Sequence, residues 1–150
     1  MRAVVLEEFG PPENLTVQEV PDPEPGPGQI LIEVAAAGVP FVDVQTRAGG
    51  GPRAAQLPDL PYVPGNGVGG RIVAVGPGVD LGLVGTRVVS TTGGRGGYAE
   101  LVAVDATWPV EVPEALAMPE AVALLADGRT AVALTELAPA KPETWVLVEA

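Results

Sequence analysis

Residues 60–79, Leu60 to Val79, read LPYVPGNGVGGRIVAVGPGV. Pro61 and Pro64 brake the approach, Gly65 to Gly70 make a glycine-packed turn, Arg71 to Val75 is a short β-branched strand, and Gly76 and Gly78 close a second tight turn. The flanking sequence has the same style, with short β-branched runs bounded by glycine and proline. This pattern predicts a small β-rich domain built around crowded turns.

At 150 residues the chain fits one domain. Its apolar content is 47%, but only 4% is aromatic, so valine, alanine and leucine must fill the core. The twenty glycines and seventeen prolines follow no collagen-like period and act as punctuation. The formal net charge is −11, a surface that repels a phosphate backbone and argues against nucleic acid as a partner. Early acids, from Glu7 to Glu24, read as a solvated face.

The chain has no cysteine and no histidine. Disulfides and the Cys/His zinc patterns are therefore excluded, no metal is expected, and histidine-based nucleophile pairings disappear. Met1 to Leu6 runs straight into Glu7 and Glu8 rather than into the apolar core of a signal peptide, and no stretch approaches a membrane span. A soluble, cytoplasmic protein without a membrane partner is the expectation.

In order, strands are expected at Arg2 to Glu8, Leu15 to Val20 and Gln29 to Gly38, the last with Ile30, Ile32 and Val34 on one face. Pro40 holds Val39 extended, and Phe41 to Arg47 reads as a short helix in which Asp43 and Arg47 stand four apart and can pair. Gly49 to Pro61, with Arg53 inside it, has no periodicity and is expected to be a mobile loop. Arg71 to Val75, Thr86 to Ser90 and Tyr98 to Val104 supply three more strands, which together predict a compact barrel, whose closure would remove exposed strand edges.

After Pro113 the pattern turns helical. Pro119 to Leu125 opens with proline and an acid, Gly128 is expected to separate it from a second helix, Thr130 to Leu137, and Thr130 is placed to cap the latter. Trp145 to Val148 is a wholly apolar strand of the parallel, doubly covered kind, so residues 119–150 read as linking helices and the start of a truncated α/β domain, following a barrel domain at 1–118. If that strand is uncovered, its apolar edge favours a homodimer.

Two glycine motifs invite a phosphate. Gly65, Gly67 and Gly70 satisfy G-x-G-x-x-G, but a β-branched run follows where the dinucleotide fingerprint needs a helix, so a phosphate site is rejected there. Gly93 to Gly97 surround Arg95 and read either as an anion cradle or as a tight reversal between strands. The polar candidates for chemistry are Asp43, Tyr62, Tyr98, Glu100, Asp127, Arg129 and Thr130.

The order of MRAVVLEEFG (1–10), PEPGPGQILIEVAAAGVPFVD (23–43), PGNGVGGRIVAVGPG (64–78), GYAELV (97–102) and AVALLADGRTA (121–131) resembles the N-terminal region of the medium-chain dehydrogenase/reductase superfamily, in its zinc-independent quinone oxidoreductase-like branch. The resemblance implies a GroES-like, partly open β-barrel followed by a nucleotide-binding α/β domain whose first strand begins near the end of this chain. It implies NADPH-dependent hydride transfer to quinones or α,β-unsaturated carbonyls, with the nicotinamide in the crevice between domains. The chain reaches Ala150 before the glycine-rich nucleotide loop, so these 150 residues are expected to bind NADPH poorly by themselves.

By the same resemblance Thr130 matches a cofactor-contacting threonine, with Asp127 and Phe41 beside the cofactor and Pro40, Gln45 and Tyr62 in the substrate pocket. No catalytic residue is assigned, because solvent can supply the proton. The chain departs from the family pattern at Pro40, where an asparagine is usual, and at Gln45 and Gly51, where tyrosines are common. Further departures are Gly67 for glutamate, Gly69 for alanine, Thr86 for aspartate and Asp127 for asparagine. The departure at Pro40 also fits a second reading, a barrel kept as a non-enzymatic binding or assembly module.

Overall fold

The computed structural model describes residues 1–51, 56–138, 141 and 143–147. Strands β1 (Arg2–Leu6) and β2 (Leu15–Glu19) form an antiparallel hairpin, with Arg2 opposite Glu19 and Leu6 opposite Leu15. The main sheet contains β3 (Gln29–Gly38), β4 (Gly67–Val75), β5 (Arg87–Thr91), β6 (Leu101–Asp105) and β7 (Val110–Glu111), in the spatial order β6-β3-β4-β5-β7. All its pairings are antiparallel. The hairpin meets the segments that precede β6 and β4 through single bridges, Ala3 to Ala99 and Leu6 to Tyr62, rather than joining the main sheet, which leaves the barrel partly open, as expected.

The alternation in β3 decides which face is inside. Ile30 and Ile32 are fully buried and join Val68, Ile72, Val88, Val102 and Val104 in one aliphatic core, while Glu33 faces solvent. A second cluster forms where Ala121 and Val122 pack on Val89 and Val112. Arg2 fastens the hairpin from outside: its guanidinium and its backbone N–H donate to the two carboxylate oxygens of Glu100 at 2.6–2.9 Å, which holds that carboxyl below the usual range.

The glycine-packed turn at 65–70 is mostly strand, since β4 begins at Gly67 rather than at Arg71. Intrinsic preference opposes glycine in a strand, yet tertiary contact leaves no room for anything larger. A Cβ on Gly69 would stand 2.6 Å from both Met118 Sδ and Val122 Cγ2, and one on Gly70 would stand 1.9 Å from the Glu33 carbonyl oxygen. The second contact falls where the β3–β4 register shifts between Val34 and Ala36.

Helix α1 (Phe41–Arg47) forms where expected. It ends on glycines that satisfy its last carbonyls: Gly49 N–H donates to Thr46 and Gly50 N–H to Gln45, at 2.9 and 3.0 Å, with Gly49 at φ 76°. In the loop that follows, where mobility was expected, residues 52–55, Arg53 among them, lie outside the described residues.

Helix α2 (Met118–Ala123) starts with Pro119 in its first turn, and Glu120 reaches back to accept from the Ala117 N–H at 3.3 Å. The expected break at Gly128 does not occur. A π-turn, Leu124–Gly128, carries the helix on into α3 (Arg129–Leu137), with Gly128 itself at helical φ −63° and ψ −42°. A glycine costs a helix only about 1 kcal/mol, too little to end one that continues on both sides. The expected strand at Trp145 to Val148 is unpaired over the residues described, with Trp145 98% exposed and Val148 outside them. A parallel strand obtains its ladder from neighbours, and none of the described strands lies beside it.

Candidate functional site

Where β3 ends, the chain turns through Val39 and Pro40 into α1, and a cleft of about 600 Å³ opens between this turn and the α2 helix with its π-turn. One wall is Ala36 to Phe41; the other carries Val122, Leu125, Ala126 and Asp127. The floor comes from Asn66 and Gly67, beside Thr91 at the end of β5, and Arg129 stands at the rim. Gly67 shapes this floor, because a Cβ there would lie 3.3 Å from Leu125 Cδ2. Its place at the start of β4 therefore opens the cleft to Leu125.

The cleft brings together three of the six residues singled out from the sequence. Pro40 precedes α1 in an extended conformation (φ −74°, ψ 157°), Phe41 presents a ring that is 73% exposed, and Asp127 enters from the π-turn. Gln45, Tyr62 and Thr130 do not line it. Gln45 lies over Gly51, whose Cβ position it would overlap, and Tyr62 is buried, its backbone exchanging hydrogen bonds with Leu6. Thr130 does not cap a helix, because no helix begins there; its hydroxyl donates to the Ala126 carbonyl at 3.1 Å. Thr130 instead lines a trough of about 1040 Å³ along the π-turn and α3. Among the described residues that trough's walls come from one helical stretch, whereas the cleft is walled from two sides.

Asn66 and Thr91 escaped the sequence reading. Asn66 had a local signal, a side-chain amide inside a proline–glycine turn. Thr91 had none, because only the register of β5 against Gly67 brings it to the cleft. The loop around Arg95 resolves as a reversal: Gly96 and Gly97 donate their N–H groups to Val63 and Gly65 carbonyls at 2.7 and 3.1 Å, so those donors are not available to an anion.

Behind the cleft wall, Asp43 and Arg47 of α1 each reach a distant partner. Tyr98 Oη donates to Asp43 Oδ2 at 2.8 Å, and the Arg47 guanidinium donates to the Gly10 carbonyl. Burial, the hydrogen bond to Asp43 and that residue's charge all push the Tyr98 phenol far up from its ordinary value of 10.0. Tyr62 is raised for similar reasons, first burial and then Asp43, with Arg95 opposing. A raised phenol stabilises the fold fully below the unfolded value, and that stability drains away as pH climbs past it. Chemical denaturation is thus expected to show a midpoint falling between about pH 9 and 11, with a shallower fall in Tyr98→Phe. Equal slopes in the two proteins would refute this.

A family model for the alcohol dehydrogenase GroES-like domain matches residues 26–114. The chain belongs to this family. It is 42% identical to the quinone oxidoreductase of Rattus norvegicus over 127 residues, covering 83% of this chain and 37% of the rat protein. The solved structure of the quinone oxidoreductase from Coxiella burnetii superposes with a TM-score of 0.86 at 31% identity, covering 94% of this chain and 46% of that one. A mycobacterial protein solved in complex with NADPH superposes with a TM-score of 0.81 at 36% identity, covering 94% and 43%.

These likenesses put the GroES-like domain in the medium-chain dehydrogenase/reductase superfamily, in the zinc-independent quinone oxidoreductase-like branch. The chain spans less than half the length of each of the three proteins. Among the described residues no group of acids gathers to hold a metal ion, and no helix is long and apolar enough to cross a membrane.

Proposed function

We propose that this GroES-like chain is the barrel-containing portion of an NADPH-dependent oxidoreductase that reduces quinones or α,β-unsaturated carbonyls. The observation that carries the reading is the cleft between the end of β3 and the π-turn, which places Pro40, Phe41 and Asp127 together. Its apolar walls suit a planar ring, and Asn66, Thr91, Asp127 and Arg129 supply polar contacts around its edge. These residues fit the nicotinamide end of NADPH, which when bound supplies a hydride to an electrophilic carbon.

On this reading Phe41 of α1 and Asp127 orient the cofactor ring, with Thr130 three residues beyond Asp127 on the same helical stretch. Pro40 bounds the substrate side, and proline there leaves that wall without a side-chain hydrogen bond, while Gln45 and Tyr62 stand away from the cleft. Residues 1–118 are then the barrel domain and 119–150 the lead into a cofactor-holding domain. A cytoplasmic homodimer completes the proposal, with the exposed Trp145 favouring association; light scattering tests it, and a monomer at all concentrations removes it.

The functional test uses the product of the full reading frame. NADPH oxidation is followed by absorbance with a quinone and with an enone as acceptors, and NADPH fluorescence is followed without an acceptor. Turnover of either acceptor, weakened in Phe41→Ala, is the expected result. No turnover of either class, together with unchanged fluorescence at millimolar NADPH, would overturn the assignment.

A further inference from the structure

Helix α1 has no fully buried residue, although its first residue, Phe41, completes one wall of the cleft. A seven-residue helix is too short to be stable alone, and one whose residues are at most half-buried obtains only a modest share from the hydrophobic effect. Its placement therefore depends in good part on tethers, and among the described residues two hydrogen-bonded ones reach distant parts of the chain. At its C-terminal end, Gly10 and Arg47 form a reciprocal clamp: the Gly10 N–H donates to the Arg47 carbonyl at 2.8 Å, and the Arg47 guanidinium donates to the Gly10 carbonyl. In its first turn, Asp43 accepts from Tyr98 Oη at 2.8 Å.

The two tethers differ in what stands behind them. Gly10 lies in the connection between β1 and β2, outside any regular element. Tyr98 is built into the barrel: its N–H donates to the Pro64 carbonyl at 2.9 Å, its own carbonyl accepts from the Val4 N–H at 2.8 Å, and its ring lies against Gly65, where a Cβ would meet it at 2.5 Å. The phenol is therefore a fixed post to which the first turn of α1 is tied. That turn also holds Phe41, two residues before Asp43.

We infer that Tyr98 and Asp43 are positioning residues, a post and a catch that hold α1 against the barrel and so set where Phe41 and Pro40 stand in the cleft wall. Neither residue lines the cleft itself, so they act through α1. The consequence for cofactor or substrate rests on the oxidoreductase reading. The placement of α1 does not, and it is measured without either ligand.

Native-state amide exchange on the chain separates local positioning from general stability. In Tyr98→Phe, which keeps the ring, the amides of Ala48, Gly49 and Gly50 at the end of α1 are expected to exchange at least about 10-fold faster, while Ile72 in β4 is unchanged. The double variant Tyr98→Phe/Asp43→Ala is expected to exchange at α1 no faster than Asp43→Ala alone, because the bond that Tyr98→Phe removes is already absent in Asp43→Ala. If Asp43→Ala does not fold, the Tyr98→Phe measurement decides alone. The inference is overturned if α1 and β4 accelerate together, if α1 does not accelerate, or if the two substitutions add. Loss of NADPH turnover in the wild-type protein would leave this result standing and remove only its functional consequence.

Discussion

Gly70→Ala is expected to cost at least about 3 kcal/mol, a large part of the stability of an ordinary domain. The added methyl would sit 1.9 Å from the Glu33 carbonyl oxygen, well inside contact distance, and the obstacle is backbone. A side chain in the way could rotate, but here β3 and β4 must separate at the register shift that holds Ile32 and Val68 in the core. Gly50→Ala makes the control. Among the described residues nothing lies within 4 Å of its Cβ position, and its φ is outside the left-handed range, so the change is expected to be neutral or to stabilise by about 0.5 kcal/mol through the unfolded chain. Urea denaturation of the two variants tests the contrast, and equal midpoints would mean that close approach does not explain the glycine run.

Arg87→Ala is expected to cost about 3 kcal/mol, the largest effect among the polar substitutions. The side chain is only 14% exposed and forks across the chain connection ahead of α2, donating from Nη1 to the Pro113 carbonyl at 2.9 Å and from Nη2 to the Leu116 carbonyl at 2.8 Å. Removing it leaves two carbonyls without their donor and frees the connection that sets α2, and with it the Val122 and Leu125 wall of the cleft. Lysine cannot span both carbonyls with a planar fork, so Arg87→Lys should fall between alanine and wild type. Glu114, 3.5 Å from the same guanidinium but 86% exposed, should matter little, and Glu114→Gln is expected to stay within about 0.5 kcal/mol. Thermal melts of the four proteins suffice; Arg87→Ala no worse than Glu114→Gln would exclude the fork as a structural element.

The two substitutions mark different kinds of legibility. Gly70 sits in a run whose glycine content was plain, yet the run reads as a turn because a strand there contradicts every local preference. The competing fact is that β3 bulges toward it while α2 presses on Gly69, and neither element is near it in sequence. Gly128 shows the reverse error. Its local signal for a break was real but small, and helix on both sides absorbed it in a π-turn.

In the site, Pro40, Phe41 and Asp127 were named from resemblance and do share one cleft, whereas Asn66 and Thr91 join it only through the β4–β5 register. Asp43 and Arg47 were expected to answer each other at helical spacing. The fold instead provides Tyr98, 55 residues away, and Gly10, 37 residues away.

What the sequence determined by itself was the set of local alternations and stops: the Ile30 and Ile32 face of β3, the short helix after Pro40, the antiparallel economy of short strands, and a chain without thiol or imidazole. Those depend on neighbours within a few residues, whose spacing sets which side chains share a face. Tertiary structure alone decided that a glycine run is a strand, that α1 hangs on a tyrosine across the barrel, and that the cleft has an asparagine and a threonine in its floor. Each of these is a contact between segments far apart in the chain, settled by which surfaces meet once the core has closed, and no local preference contains that information.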